Sequence, residues 1–123
     1  GLSDKDTKLL MKSKIKFGYI QPGGSSVTDP IEEKNFKTYY ANFKKGDEVL
    51  GFNNNNLAIK IDVEGHEFKV LNGMINTLKF NKCILLIEIF QENFEKINTF
   101  LIKNNFSIIG KVEKRFNYFY SNF

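Results

Sequence analysis

Apolar and polar residues alternate along a stretch near the middle of the chain. Four apolar residues there are separated by single, mostly polar positions: Leu57, Ile59, Ile61 and Val63. This period of two predicts a β-strand. In the segment Glu64–Phe80, apolar residues recur every three or four positions, which predicts an amphipathic helix of about four turns. The next segment, Cys83–Phe90, is almost uninterruptedly apolar, which is typical of a strand covered on both faces in a parallel sheet.

The C-terminal part predicts a second helix and then a β-hairpin. Phe94, Ile97 and Leu101 have helical spacing. Phe106–Glu113 and Phe116–Asn122 fit two strands joined by a short polar turn at Glu113–Arg115. Residues 57–123 therefore predict the order strand, helix, strand, helix, hairpin. Helical connections between strands imply a parallel sheet, so the predicted fold class is α/β, with an antiparallel strand at or near one edge.

Residues 1–56 carry weaker patterns and predict an irregular, loop-rich part. Lys8–Ile20 fits one or two short strands, and the Pro-, Gly- and Ser-rich segment Gln21–Pro30 predicts a loop. An edge strand is expected over Thr38–Phe43, followed by a helical turn at Asp47–Leu50. The run of asparagines at 53–56 predicts a turn or a short linker.

Composition and charge exclude some classes of protein, although they do not indicate an activity. The chain has 123 residues, a net charge of +4 and a pI near 9.1. Its lysines are scattered, so most are expected to be solvated rather than to form a basic binding surface. No apolar run approaches the length of a membrane span, and the polar N-terminus does not look like a signal peptide, so a cytoplasmic location is expected. The single cysteine, Cys83, is expected to be a buried core thiol.

Acidic residues follow the two predicted parallel strands. Asp62 and Glu64 lie at the end of the first strand, and Glu88 lies near the end of the second. His66 and Glu67 then begin the helix. Because ligands bind outside the carboxyl ends of strands in open α/β sheets, these side chains are expected at one sheet edge. The candidate catalytic residues are Asp62, Glu64, His66 and Glu88.

Each candidate also has a structural alternative. Acids at the start of a helix are favoured by its free N–H groups, which is the better explanation for Glu67. His66, placed among carboxylates, is expected to have a raised pKa and to suit proton transfer. Lys60 is expected to pair with Asp62 or Glu88, in a structural or a catalytic role. The spacing of these residues matches no standard zinc pattern, and no metal site is predicted.

The stretch LAIKIDVEGHEFKVLNGM resembles the hallmark segment of FkbM-type methyltransferases, which use S-adenosylmethionine. The matching positions are Lys60, Asp62, Glu64, Gly65, His66, Glu67, Leu71 and Gly73. Glu88 in ILLIEI matches the apolar strand with a glutamate that comes next in the family. Gly1–Asp4, the Gly/Ser segment 23–26 and Asp47 match more loosely.

The resemblance implies a Rossmann-like class I methyltransferase fold that ends in a reversed hairpin strand. It implies O-methylation, often of a hydroxyl on a sugar or a secondary metabolite, with S-adenosylmethionine as cofactor. It also implies that Leu2 and Ser3 lie near the adenine. Asp62 would lie near the methionine end of the cofactor and the acceptor hydroxyl, and His66 or a carboxylate would take the hydroxyl proton.

The family's glycine-rich cofactor loop and ribose-binding acid are absent from these 123 residues, and the chain begins with Gly1. The expectation is that residues 1–123 are the C-terminal part of a single methyltransferase domain. Alone, the chain is expected to be inactive, and its open sheet edge could support a homo-oligomer.

Two further functions stay open. One is a non-catalytic α/β module, derived from a methyltransferase, that binds a partner or glycan. The other is a basic nucleic-acid-binding domain, which requires lysines and aromatic residues interleaved on one face. The expected partner is a small-molecule or glycan acceptor, without a membrane, and nucleic acid is the least favoured partner.

Overall fold

The computed structural model of the protein describes residues 1–30, 34–112 and 115–123. In these ranges the chain forms two four-stranded sheets and four helices. The elements in chain order are β1 (Leu2–Ser3), β2 (Thr7–Lys16), β3 (Tyr19–Val27), β4 (Phe36–Lys45), α1 (Gly46–Leu50), β5 (Asn56–Ile61), α2 (Glu67–Gly73), α3 (Ile75–Lys79), β6 (Lys82–Glu88), α4 (Gln91–Lys103), β7 (Ser107–Lys111) and β8 (Asn117–Ser121).

The second sheet confirms the fold class predicted for residues 57–123. Its strand order is β5-β6-β8-β7. β5 and β6 run parallel, β8 is antiparallel to β6, and β7 forms one edge. The protein is therefore an α/β protein with mixed strand directions. In the turn predicted at Glu113–Arg115, residues 113 and 114 lie outside the described ranges.

The helix predicted as one four-turn unit is instead two short helices, α2 and α3, separated at Met74. The N–H of Met74 donates to the carbonyls of Val70 (3.1 Å) and Leu71 (3.3 Å), which ends α2. The start of α3 is capped from α1, because Asp47 Oδ1 accepts hydrogen bonds from Thr77 N (2.8 Å) and Thr77 Oγ1 (3.0 Å). A carboxylate at this position satisfies N–H groups that the first turn leaves free.

The prediction that Cys83–Phe90 is covered on both faces is wrong. Alternate residues of β6 point into the core, whereas Ile84 on the other face is 39% exposed. The buried cluster combines residues of α2, α3, α4, β6 and β8, so these helices of the described chain pack on one side of the sheet. Cys83 is buried as expected, and burial raises the pKa of its thiol. None of the helices in the described ranges is long and apolar enough to cross a membrane.

The prediction that residues 1–56 are irregular is also wrong. This part forms the first sheet, with strand order β1-β4-β2-β3. β3 runs through most of the predicted loop Gln21–Pro30, although the pairing is interrupted there. Gln21 pairs with Lys14 and Ser26 pairs with Lys12, so residues 22–25 lie opposite a single residue of β2.

Two smaller predictions in this region have different outcomes. The strand predicted over Thr38–Phe43 exists as part of β4, but it is an interior strand, flanked by β1 and β2. The helical turn predicted at Asp47–Leu50 is confirmed as α1.

A close backbone contact joins the first sheet to the second half of the chain. β1 pairs with β4 through Leu2 and Lys44, and it also packs against α2. At Gly73 in α2, an added Cβ would lie 1.8 Å from the carbonyl oxygen of Ser3. Only glycine lets the two backbones approach this closely. This contact brings the N-terminus of the chain to the turn that follows β5.

Candidate active site

The turn between β5 and α2 presents the acidic residues. Glu64 (φ +52°) and Gly65 (φ +95°) both adopt positive φ, which reverses the chain within two residues. The buried side chain of Glu67 holds this turn, because its Oε1 accepts a hydrogen bond from Gly65 N (2.9 Å) and a longer one from Val63 N (3.4 Å). Its Oε2 is buried without a hydrogen-bond partner among the described residues. Glu67 therefore acts in the architecture of the turn, in line with its structural alternative.

Three carboxylates converge at the carboxyl ends of β5 and β6. One oxygen each from Asp62, Glu64 and Glu88 lies within 4.8 Å of the others. The parallel pairing of β5 and β6 places the ends of both strands at one edge, as the sequence predicted. We call these three residues the acidic cluster. It forms although Asp62 follows β5 and Glu88 ends β6, with two helices between them in the chain.

Two carboxylates of the acidic cluster have pKa values that are shifted in opposite directions. Lys60 Nζ lies 2.7 Å from Asp62 Oδ2, and this hydrogen bond lowers the pKa of Asp62. Burial, and then the negative charge and hydrogen bond of Asp62, raise the pKa of Glu88. Two carboxylates at this distance repel each other, so one ionises readily and the other retains its proton to higher pH. The expected pairing of Lys60 is confirmed, although its side chain is 61% exposed rather than covered.

His66 lies apart from the acidic cluster. Its Nε2 is 3.0 Å from Ser3 Oγ, and its ring packs at 5.5 Å from the ring of Phe43. Burial is the largest influence on the imidazole and, together with the charge of Lys69, lowers its pKa. The expected rise in the pKa of His66 is therefore wrong. The nearby carboxylates act in the expected direction, but desolvation of the imidazolium outweighs them.

A chain of polar contacts extends from His66 to the surface. Ser3 Oγ donates to Asp4 Oδ1 at 3.1 Å, and Lys69 Nζ lies 3.4 Å from Asp4 Oδ2. Although burial acts to raise the pKa of Asp4, the bond from Ser3 and the charge of Lys69 outweigh it and lower that pKa. Asp4, Lys69 and Phe43 were not singled out from the sequence. Lys69 is 65 positions from Asp4, and Phe43 belongs to a different sheet strand from the turn that carries His66, so nothing local in the sequence indicated these contacts.

The two residues expected near an adenine have different surroundings. Leu2 lines a groove of about 410 Å³ that runs along β5, whereas Ser3 is buried and bonded to His66. The groove is largely apolar, and no acidic residue lines it: Leu2, Leu50, Phe52, Leu57, Ala58, Ile59, Lys60, Ile61, Val63, Val70, Met74 and Thr77. Its lining suits a flat apolar ring but provides no carboxylate for ribose hydroxyls.

The acidic cluster also has the oxygen ligands that hard cations prefer. Among the described residues, no other set of three or more His, Cys, Asp or Glu side chains has ligand atoms close enough to share an ion. Asp62 is already bonded to Lys60, and burial together with the charge of Asp62 raises the pKa of Glu88, so the cluster loses negative charge more readily as pH falls. The prediction that the protein uses no metal stays a prediction.

Comparison with known proteins identifies the family. A family model described as the Methyltransferase FkbM domain matches residues 5–108. The comparisons with curated proteins and with solved structures found no match to this chain. The matched range contains the acidic cluster, His66 and most of both sheets. The chain therefore belongs to the FkbM methyltransferase family.

Proposed function

We propose that the protein is an S-adenosylmethionine-dependent O-methyltransferase with a Rossmann-like class I fold, acting on a hydroxyl of a sugar, a glycan or a secondary metabolite. The observation that carries this proposal is the acidic cluster at the carboxyl ends of two parallel strands, within the family match. In sheets of this kind, ligands bind at that edge.

The residues present fit part of the cofactor. S-adenosylmethionine supplies a methyl group on a positively charged sulfur, together with a methionine ammonium and a flat adenine ring. The ionised Asp62 and the neighbouring Glu64 would hold the positive charges. The groove beside Leu2 offers an apolar surface for a ring. Lys60 fixes Asp62 in place through its hydrogen bond.

The transfer needs alignment and one proton acceptor. When bound, S-adenosylmethionine would supply its methyl group to the acceptor oxygen and would leave as the neutral thioether. The hydroxyl proton passes to a carboxylate of the acidic cluster or to the neutral His66. Within the cluster, Glu88 suits this role best, because its raised pKa makes its carboxylate the stronger base.

Cofactor binding tests the proposal before the acceptor is known. Calorimetry on the complete protein is expected to show binding of S-adenosylmethionine and of S-adenosylhomocysteine, which lacks the positive charge on sulfur. Asp62→Asn should weaken binding of the charged molecule at least about tenfold more than that of the neutral one, because a charge pair is lost. Asp29→Asn, an exposed acid outside the cluster, is the matched control.

The acceptor is then sought with S-adenosylmethionine carrying a tritiated methyl group. Label is expected in sugar hydroxyls or secondary metabolites, and Asp62→Asn should abolish it while circular dichroism stays unchanged. If neither cofactor molecule binds to a folded complete protein, the alternative is correct, and the chain is a non-catalytic α/β module. Residues 1–123 alone are expected to be inactive, because they contain no glycine-rich loop for the cofactor.

A further inference from the structure

We propose that one face of the first sheet is a docking surface for single-stranded nucleic acid, separate from methyl transfer. This surface, which we call the lysine face, combines four lysines of β2 with aromatic residues of β3 and β4: Lys8, Lys12, Lys14, Lys16, Tyr19, Phe36 and Tyr40. The sequence made nucleic acid the least favoured partner because the lysines looked scattered. The first sheet places four of them, all on β2, on one side.

The pleat of β2 places its four lysines in a row. Residues two apart on a strand point to the same face, at a separation of about 6.8 Å. The row from Lys8 to Lys16 therefore extends over about 27 Å. The pairing of β2 with β4 is regular from Thr7 to Lys14, so the alternation is preserved over that length. In the described residues, none of the four lysines forms a salt bridge.

Aromatic side chains lie between the lysines on the same face. The register pairs Leu10 with Tyr40, Lys14 with Phe36, and Lys16 with Tyr19. Residues directly opposite in an antiparallel pair share a face. Tyr40 is 64% exposed and Tyr19 is 75% exposed. No described residue covers these large rings.

Two of the lysines already lie against aromatic rings. Lys8 Nζ is 5.5 Å from the centroid of Tyr40, and Lys12 Nζ is 5.0 Å from that of Phe36. These cation–π contacts keep each positive charge beside a ring. A polymer that carries both negative charges and flat rings would bind the lysines and stack on the aromatic rings at the same time.

Among the residues that the strand register pairs, the lysine face carries no negative charge; just beyond them, Asp6 is bonded to Lys44 of β4. The other residues that the register places on it are polar or apolar, and none is acidic: Leu10, Gln21, Ser26, Thr38 and Asn42. The paired residues therefore leave the four lysines open to an anionic partner, and charge complementarity requires a partner with many negative charges.

The lysine face points away from the candidate active site. Phe43 of β4 lies on the opposite face of the sheet, where its ring packs against His66. Tyr40 and Asn42 therefore point to the other side of β4 from the one that contacts the active-site region. The polymer on this face is thus a docking partner rather than the methyl acceptor in position for transfer.

A single strand fits this face better than a duplex does. Exposed rings stack on bases only where the bases are unpaired, and a sheet with aromatic residues is a known platform for such stacking. The strand carries one phosphate per nucleotide, so its backbone can place successive charges along the lysine row. The polar neighbours Thr38, Ser26 and Gln21 argue against an apolar surface made for lipid.

Fluorescence anisotropy of the complete protein with labelled oligo(dT) and oligo(U) of 20 nucleotides tests the proposal. Four neutralised phosphates give a slope of about −2.8 for log affinity against log salt concentration. Raising NaCl from 50 to 200 mM should therefore weaken binding about 50-fold. The double variant Lys8→Gln/Lys14→Gln should halve this slope.

The control for charge is Lys37→Gln/Lys103→Gln, which removes the same net charge from the opposite face of β4 and from α4. This control should bind oligonucleotides nearly as the wild type does. If both double variants lose affinity equally, electrostatic attraction to the net charge of the protein explains the binding, and the proposal is overturned.

The control for stacking uses Tyr40. Tyr40→Thr keeps a strand-forming residue but removes the ring, and it should weaken binding at least about fivefold. Tyr40→Phe should bind as the wild type does. If a heparin fragment or phosphatidylserine vesicles bind more tightly than both oligonucleotides, and Tyr40→Thr has no effect on the oligonucleotides, the surface recognises another anion and the proposal fails.

Discussion

Ser3 Oγ and His66 Nε2 lie 3.0 Å apart although the residues are 63 positions apart in the chain. The single proton of the Ser3 hydroxyl is donated to Asp4, so only the oxygen lone pairs face the imidazole. Nε2 must therefore carry the hydrogen. Because burial lowers its pKa, His66 is neutral near pH 7, and its Nδ1 keeps a lone pair that no described residue engages. The contact selects which nitrogen of His66 can accept a proton.

Ser3→Ala should destabilise the fold. The substitution leaves the buried Nε2–H of His66 without an acceptor, which typically costs about 1–3 kcal/mol. Urea unfolding of the variant is expected to show this loss. Ser107→Ala, at an exposed position of β7 with no side-chain hydrogen bond in the described residues, should change stability by less than about 0.5 kcal/mol. Equal effects of the two substitutions would show that the Ser3 contact contributes nothing.

His66 should titrate below 6.5, its ordinary value. Because it is the only histidine in the chain, one imidazole signal in a proton NMR spectrum reports it without assignment. The pKa is lowered first by burial and then by Lys69. Lys69→Gln should raise the midpoint, since it removes a repelling charge. A wild-type midpoint above 6.5 would contradict the described burial of the ring.

The same titration predicts how stability depends on pH. In the folded state the pKa of His66 is depressed, so the unfolded chain binds the proton more readily. The contribution of His66 to stability is fully present above the unfolded value of about 6.5 and is lost as pH falls through the folded value. The drop in unfolding free energy between pH 7 and pH 5.5 should be smaller in His66→Gln than in the wild type.

Glu88→Gln should raise stability at pH 7 while it lowers methyl transfer. The pKa of Glu88 in the folded state is raised, first by burial and then by Asp62. Glu88 therefore stabilises the fold at low pH, where it is protonated, and this contribution is lost as pH rises through the folded pKa. The amide mimics the protonated form and removes repulsion from Asp62. The gain should be no more than about 1 kcal/mol, since the site is partly solvated.

Thermal unfolding and methyl transfer, measured on the same preparation, check this prediction. Glu95→Gln removes an exposed acid from α4 and should change neither quantity. A gain in stability together with a loss of activity is expected for a functional residue whose environment destabilises the folded state. Glu88→Gln with full activity would remove Glu88 from the catalytic set.

Gly73→Ala should separate β1 from α2. A methyl group there would lie 1.8 Å from the Ser3 carbonyl oxygen, a distance that only backbone movement can relieve. The expected cost is about 3 kcal/mol, at the upper end for overpacking. Urea unfolding measures the cost, and a shift of the His66 signal reports loss of the Ser3 contact. Gly24→Ala, where a Cβ meets nothing within 4 Å, is the control.

Several features followed from local sequence because the forces that decide them are local. Alternation of apolar residues predicted β5, and helical spacing predicted α4. The parallel pairing of β5 and β6 brings Asp62 and Glu88 together, so the acidic cluster could be expected from two separate strand endings. The capping of α3 by Asp47 could not, because the acid lies in α1, 30 positions from Thr77.

The sequence by itself determined the α/β class, the order of elements after residue 56 and the acids that end the two parallel strands. Only the tertiary structure decided that β6 is covered on one face, that Ser3 holds His66, and that the lysines of β2 share a face with Tyr40. The physical reason is that burial and long-range pairing depend on residues far apart in the chain. Desolvation accordingly reversed the pKa expected for His66 from its neighbours in sequence.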